Sequence, residues 1–387
     1  MRILFVHDHP FFKDRDNVYS GGGLPNFIWN NYLKYFSSVV VYGRLSKFDK
    51  DRKVISSGSD GLSFVLTTNY QSIRGLIMNF SSLVKEIKNE VKNTDIVLVR
   101  LPSVLGLIAA FIAFNNNKKI IVEQVGNSKE ALVEHGSNIG KLTASLFHVL
   151  NKKVVKKAKY VSYVTINKLQ QEYPSNTVSV SLSNVLIDEI IDTAFIDNQK
   201  FQDEIFRIGL IGGFDVRYKG QDILLKAISV LPVQERKKVY IYFVGKGDFS
   251  WVIDIAKEYN LFDNIKFIGS IEAGKQIFDF LSSLSLYVQP SLTEGMPRAL
   301  LEAMSVGCPG IGSDAGGIPD VVSEEFIHKK GDYEALSLQI YKLITNRGKL
   351  KLESERSVSA VQPYLKARLD EKRDLFYYRI ISDLKSC

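Results

Sequence analysis

Short runs of branched apolar residues recur along this chain between longer amphipathic stretches, and that alternation dictates the architecture. Ile3–Val6, Val39–Val41, Ile96–Val99, Ile120–Val122 and Val161–Val164 form one series. A second series follows at Ile208–Ile211, Val239–Val244, Ile265–Ile268, Leu286–Val288 and Gly310–Gly312. Apolar runs this short, without polar alternation, read as strands buried on both faces, the kind found in parallel sheets covered by helices. At 387 residues the chain exceeds what one hydrophobic core usually serves. Two doubly wound, Rossmann-like α/β domains facing across a cleft follow, with ligands expected outside the carboxyl ends of the strands. The expected division is a first domain over 1–188, a polar linker over 189–204, a second domain over 205–365 and an amphipathic helix over 366–387.

Composition narrows the class. Hydrophobic residues make up 45% and charged residues 24% of the chain, as in an ordinary globular protein. Two cysteines, Cys308 and Cys387, suggest neither a disulfide framework nor a cysteine-based zinc site, and fit a reducing, cytoplasmic setting. MRILFVHDHP lacks the apolar core and cleavage site of a signal peptide. The longest apolar run, Val104–Phe114, falls short of the roughly 20 residues of a spanning helix. The net charge of +8 is uneven: residues 1–190 hold 24 Lys/Arg against 15 Asp/Glu, and 191–387 hold 26 against 27. A basic half of this kind suits an anionic leaflet, a phosphorylated acceptor or nucleic acid, or is simply a solvated lysine-rich face.

The richest segment is LYVQPSLTEGMPRALLEAMSVGCPGIGSDAGGIPDVV, from Leu286. A strand ends near Pro290, a loop holds Glu294 and Gly295, and a short helix opens at Pro297 and stops at Gly307. Free N–H groups at Gly295, Met296 and Arg298, with the positive end of the helix dipole, make a site for a phosphate or a sugar oxygen. Glu294 precedes the helix and Glu302 sits in its second turn. Helical side chains tilt toward the N-terminus, so both carboxylates can address one ligand. Glu302 is flanked by Leu300, Leu301, Ala303 and Met304, surroundings costly for a carboxylate without donors. Arg298, one turn earlier, is the alternative partner.

Two glutamates seven residues apart in EGMPRALLEAM, followed by PGIGSDAGGIP, resemble glycosyltransferase family 4. The resemblance implies the GT-B fold, a helix crossing back to the first domain, and metal-independent, retaining transfer of a sugar from a UDP- or GDP-linked donor. It also implies that Glu302 holds the ribose hydroxyls, that Glu294 contacts the transferred sugar, and that the amides of Gly295 and Met296 lie against sugar or diphosphate. IGLIGGFDVRYKGQDILLKAI resembles the family's phosphate-clasping loop, with Lys219 matching its lysine. Gly213 occupies the position of the family's arginine, and Arg217 is the candidate substitute or else an exposed loop cation. VYIYFVGKGDF and IKFIGSI resemble the strands flanking the base, with backbone contacts at Gly245 and Ile271. Gly21, Gly22 and Gly23 resemble the glycine loop that approaches the diphosphate from the first domain.

Other features depart from the family or mislead. A histidine that many members carry after the strand matching Ile120–Val122 is missing from VEQVGNSKEAL. Glu123 and Asn127, with Arg100, are left to line an acceptor pocket, unless Arg100 and Glu123 form a structural pair. His7 and His9 lack the convergent acidic or cysteine ligands of a metal site. Asp14–Arg15–Asp16 and Asp49–Lys50–Asp51 match an Asp-x-Asp metal motif but follow no apolar strand. No metal, cofactor or nucleic acid is expected. The partners are a nucleotide-diphosphate sugar and a glycan or polyprenyl-diphosphate-linked acceptor of cell-envelope polysaccharide. Peripheral contact with the inner membrane face is read from the basic half and from LGLIAAFIAF. A sugar-nucleotide epimerase on the same fold, or a silent subunit of a polysaccharide assembly, are the alternatives.

Overall fold

The computed structural model describes every residue except 22, 48–53, 69, 71–72, 135–137, 197–198, 273 and 387, and leaves the side chains of 131, 134, 138, 139 and 195 undescribed. Gly22, Asp49–Lys50–Asp51 and Cys387 therefore lie outside the described residues, wholly or as a motif. The chain divides into two compact units. The first comprises 1–164, 169–182 and 372–387, and the second comprises 165–168 and 183–371. Apart from 165–168, the second unit runs from Ser183, upstream of the polar 189–204 stretch, and Val185 and Ile187 are buried in its core.

The first unit holds strands β1 (Arg2–Asp14), β2 (Asn17–Ser20), β3 (Ser38–Ser46), β4 (Ile55–Ser56), β5 (Leu62–Thr67), β6 (Ile96–Leu101), β7 (Ile120–Gln124), β8 (Tyr160–Tyr163) and β9 (Val178–Ser181). Its parallel pairings run β5-β3-β1-β6-β7-β8-β9, and β2 joins the far end of β1 antiparallel. β1 is much longer than the apolar run Ile3–Val6. After a register shift between Val6 and Pro10 it resumes pairing with β3 and turns back into β2 through Asp14–Arg15–Asp16, with Arg15 at φ +52°. The first Asp-x-Asp motif is therefore a hairpin turn. Branched side chains fill both faces. Leu4, Val6 and Val99 pack toward the helices Phe80–Lys92, Val104–Asn115 and Asn138–Lys157, while Ile3, Phe5 and Val41 pack toward Trp29, Tyr32 and residues Phe376, Tyr377 and Ile380 of the helix Lys366–Lys385.

LGLIAAFIAF does not form an exposed apolar surface. It lies in the helix Val104–Asn115, where Leu105, Leu107, Ala109, Ala110 and Ala113 are buried and Phe111 is exposed. No helix among the described residues is long and apolar enough to cross a membrane.

The second unit holds β10 (Phe206–Ile211), β11 (Val239–Val244), β12 (Ile265–Gly269), β13 (Leu286–Gln289), β14 (Gly310–Ser313) and β15 (Ile327–His328), all parallel in the order β12-β11-β10-β13-β14-β15. β10 and β13 are neighbours at the point where strand order reverses, so the loops after them meet. This is a Rossmann-like sheet, as the second series of apolar runs predicts.

Candidate functional site

The loops after β10 and β13 bring Lys219 to Glu294. Lys219 ends a short 3-10 turn, Arg217–Lys219, which Gly220 closes in the left-handed region at φ +78°. A Cβ on Gly220 would sit 2.3 Å from the Pro290 carbonyl oxygen, so only glycine lets the two loops approach this closely. Leu292 N–H donates to the Tyr218 carbonyl at 2.8 Å and stitches them together. The Lys219 stem passes over Gly212, where a Cβ would lie 2.8 Å from Lys219 Cγ.

Glu294 is held through one oxygen. Its Oε1 accepts from Lys219 Nζ at 2.5 Å, Gln289 Nε2 at 3.0 Å and Ser291 Oγ at 3.0 Å. Gln289 is itself fixed: Tyr287 OH donates to Gln289 Oε1 at 3.0 Å and accepts from Ile211 N–H at 3.2 Å. Burial raises the Tyr287 hydroxyl well above the usual tyrosine range, with Glu294 and Glu302 adding to the shift. A neutral phenol can donate, so the relay stays intact at physiological pH. No hydrogen bond to Glu294 Oε2 occurs among the described residues, which leaves that oxygen for a ligand.

The helix after this loop spans Arg298–Ser305, with Pro297 at its N-cap rather than inside it. Gly317 N–H donates to the Gly295 carbonyl at 2.7 Å, and Gly316, at φ +50°, would place a Cβ 2.1 Å from the Glu294 carbonyl oxygen. The PGIGSDAGGIP stretch thus braces the EGMP loop from behind. Among the described residues the N–H groups of Gly295, Met296 and Arg298 make no intramolecular hydrogen bond, so the positive end of the helix has donors for an anion.

Glu302 is half-buried, and its carboxylate makes no hydrogen bond or ion pair among the described residues; Arg298 is not within bonding distance. Burial raises its carboxyl above the usual range, with Arg298 acting weakly in the opposite sense. A carboxylate in that state is primed for hydroxyl donors from outside the chain.

Arg217 is exposed, and its guanidinium stacks on Trp251, 4.8 Å from the ring centroid. Trp251 Nε1 donates to the Phe214 carbonyl at 2.9 Å, so this tryptophan supports both the loop and the arginine. At Gly213 a Cβ would meet only the Lys246 carbonyl, at 3.8 Å, so the position has room for a side chain. Gly245 N–H donates to the Gly269 carbonyl at 2.8 Å, and a Cβ there would collide with the Gly212 carbonyl at 2.0 Å. Ile271 is partly buried against the core.

In the first unit, Arg100 and Glu123 sit opposite each other on β6 and β7, with Arg100 Nε 3.8 Å from Glu123 Oε2. Tyr32 OH at 2.9 Å and Tyr377 OH at 3.4 Å donate to Glu123 Oε1. Asn127 Oδ1 accepts from Lys129 and Glu130 N–H, capping the helix Ser128–Glu134, and its Nδ2 donates to Glu172. Gly21 is exposed, and Gly23 packs on His9, whose Cε1 would lie 3.0 Å from an added Cβ. Burial, helped by Arg100, pushes His7 down to about 3 and His9 down to about 4. No group of potential metal ligands assembles among the described residues.

The sequence read Glu294, Glu302 and Lys219 as a set, and the second unit contains all three, with the first and last in contact. It missed Gln289, Ser291 and Tyr287. A polar Gln two residues after Tyr inside a buried strand, hence on the same face, is the signal that marks them.

Residues 195–358 match the family model described as glycosyl transferases group 1. Protein CapJ of Staphylococcus aureus is 36% identical over 387 residues, covering 99% of this chain and 97% of CapJ. The capsular polysaccharide biosynthesis glycosyltransferase CapH of the same species is 25% identical over 264 residues, 65% of this chain and 68% of CapH. HepE of Anabaena, solved in complex with UDP, superposes with a TM-score of 0.64 at 16% identity over 100% of both chains and shows the same GT-B fold. With a full-length relative at this identity and the family model lying over the unit that holds Lys219, Glu294 and Glu302, the chain belongs to the glycosyl transferases group 1 family.

Proposed function

We propose that this glycosyltransferase moves a sugar from a UDP- or GDP-linked donor, with retention of anomeric configuration, to a lipid-linked or glycan acceptor in the assembly of a capsular or other cell-envelope polysaccharide. The observation that carries the reading is the Lys219–Glu294 contact beside the open N–H groups of Gly295, Met296 and Arg298. A diphosphate leaving group gains negative charge as the glycosidic bond breaks. A lysine and fixed amides stabilise that charge most where it develops. On binding, the diphosphate competes with Glu294 for the Lys219 ammonium, and Glu294, still held by Gln289 and Ser291, orients the sugar hydroxyls. Glu302 accepts from the ribose hydroxyls. The leaving phosphate then takes the acceptor proton on the same face from which the acceptor attacks.

The polysaccharide setting is supported by the role of CapH in capsular polysaccharide biosynthesis and by the full-length likeness to CapJ. The acceptor side is assigned to the first unit. There Arg100 and Glu123 shape the wall as a pair and Asn127 acts through its cap. Incubation with UDP- and GDP-sugars tests the reading. Free nucleotide together with a new glycoside supports it, whereas an epimerised sugar nucleotide, or no turnover with any donor, refutes it.

A further inference from the structure

We propose that the outward face of the helix Asn138–Lys157 is a docking surface for an anionic phospholipid membrane. The inference deepens the reading above, in its form with a lipid-linked acceptor, but it stands on different residues. This helix is 20 residues long and carries five lysines and no Asp or Glu. Leu142, Leu146 and Val149 are 84%, 63% and 47% exposed. At 100° per residue they share one side of the helix with Lys153, Lys156 and Lys157, all within about 60° of a common line. The opposite side, with Ala144, Asn151, Val154 and Val155, is buried against the first unit. One strip of surface is therefore apolar at its N-terminal end and cationic at its C-terminal end.

A second observation lies at the cationic end. Between this helix and the helix Val104–Asn115 is a groove of about 480 Å³, lined by Phe111, Phe114 and Asn115 on one side and by the same three lysines on the other. Lys157 Nζ lies 4.5 Å from the Phe114 ring centroid, which holds the ammonium over the groove. Lysines in a last helical turn commonly offset the helix dipole, which accounts for Lys156 and Lys157. It accounts neither for Lys141, Lys152 and Lys153, earlier in the helix, nor for three exposed aliphatic side chains in line with them.

Charge decides between occupants. Protein interfaces are depleted of lysine at their centres, whereas an interfacial helix combines aliphatic side chains that enter the acyl boundary with lysines that meet phosphate headgroups. The strip has the second composition. Its apolar end enters the boundary, and Lys153, Lys156 and Lys157 take headgroup phosphates in the groove. Each lysine near an anionic surface adds a further attraction that salt screens.

The test is flotation of the full chain with vesicles of phosphatidylcholine alone or of phosphatidylcholine mixed with phosphatidylglycerol. Binding is expected only to the anionic vesicles and should fall with salt. The double variants Leu142→Ser/Leu146→Ser and Lys153→Glu/Lys156→Glu should each reduce partitioning by about tenfold or more. Leu338→Ser/Leu352→Ser, which removes exposed leucines of the second unit, should bind as the parent does. A nucleotide-induced rise in melting temperature, the same in all variants, reports folding and the donor site separately, so failure of docking and failure of the proposed function are distinguishable. Equal binding to neutral and anionic vesicles, unchanged binding of both strip variants, or a dimer lost on Leu142→Ser/Leu146→Ser without vesicle binding would each overturn the proposal.

Discussion

Glu302→Gln should stabilise the ligand-free protein while weakening nucleotide binding. The carboxyl is half-buried beside Leu301, Ala303 and Met304 and has no hydrogen-bond partner among the described residues, and burial raises its pKa from the ordinary 4.5. For an acid whose folded pKa is raised, the folded state holds the proton more tightly than the unfolded state. Its penalty is absent below about 4.5 and grows as pH rises through that value toward the folded pKa. An unpartnered buried charge costs more than an unpartnered neutral polar group, itself about 1–3 kcal/mol, and with partial exposure the excess that the charge adds is about 1 kcal/mol. The amide that replaces the carboxylate keeps its shape and sheds its charge, so the variant should melt about 2–4 °C higher at neutral pH. The gap should close on acidification. A ribose hydroxyl donating to the carboxylate relieves the same penalty, and losing that charge-assisted bond should weaken UDP or GDP about tenfold. Melting curves at several pH values, with calorimetric titration of UDP and GDP, measure both effects. A variant no more stable than the parent at neutral pH, or a gap that persists at acid pH, refutes the electrostatic account; unchanged nucleotide affinity refutes the ribose role.

Glu294→Ala should lower kcat far more than it weakens nucleotide binding, since its carboxylate addresses the sugar; equal losses in steady-state kinetics and titration would contradict this. Gln289→Leu leaves Tyr287 without its acceptor and Glu294 with two donors, and should lower kcat about tenfold with little change in the Kd for UDP, checked by the same two assays. Gly316→Ala places a Cβ 2.1 Å from the Glu294 carbonyl at positive φ, and should destabilise the second unit by about 2 kcal/mol or more in urea unfolding. Arg217→Ala should reduce kcat/KM about tenfold if the guanidinium leaves Trp251 for the diphosphate, and Gly213→Arg, for which the backbone has room, should restore it in that background. A neutral Arg217→Ala together with an inactive Lys219→Ala would place the second cation elsewhere.

Strands buried on both faces were legible because burial forces an unbroken apolar run; Val97, Ile121 and Ile241 could be little else. Strands at sheet margins were not. β5 and β9 are only half-buried, and β15 is two residues long, so none carries a distinct run. The far half of β1 escaped notice for another reason: His7, Asp8, His9 and Pro10 read as loop, yet pairing with β3 past a register shift keeps them extended. In the site, the two carboxylates and the lysine were legible from residue type and spacing. The relay through Tyr287 and Gln289 depends on which strand faces which loop, which a single sequence does not state. LGLIAAFIAF shows the limit of hydropathy alone, since an apolar helix under a sheet and an apolar helix at a membrane are the same string. Exposure separates them, and it moves the apolar surface to Leu142, Leu146 and Val149.

The division of the chain into interleaved units bears on the order in which the molecule can be completed. The first unit contains most of residues 1–182, but Phe376, Tyr377 and Ile380 fill its core against Ile3, Phe5, Trp29 and Phe36. Tyr377 also donates to Glu123, and Asp374 accepts from Lys34. During synthesis these residues emerge only after the whole second unit. For that interval the nascent first unit presents Trp29, Tyr32 and Phe36 as an open aromatic face, and the second unit, whose core lies almost wholly within 183–371, can close first. The first unit therefore cannot be completed before residues 372–387 are made, and that segment is the keystone that the half begun first must wait longest to receive.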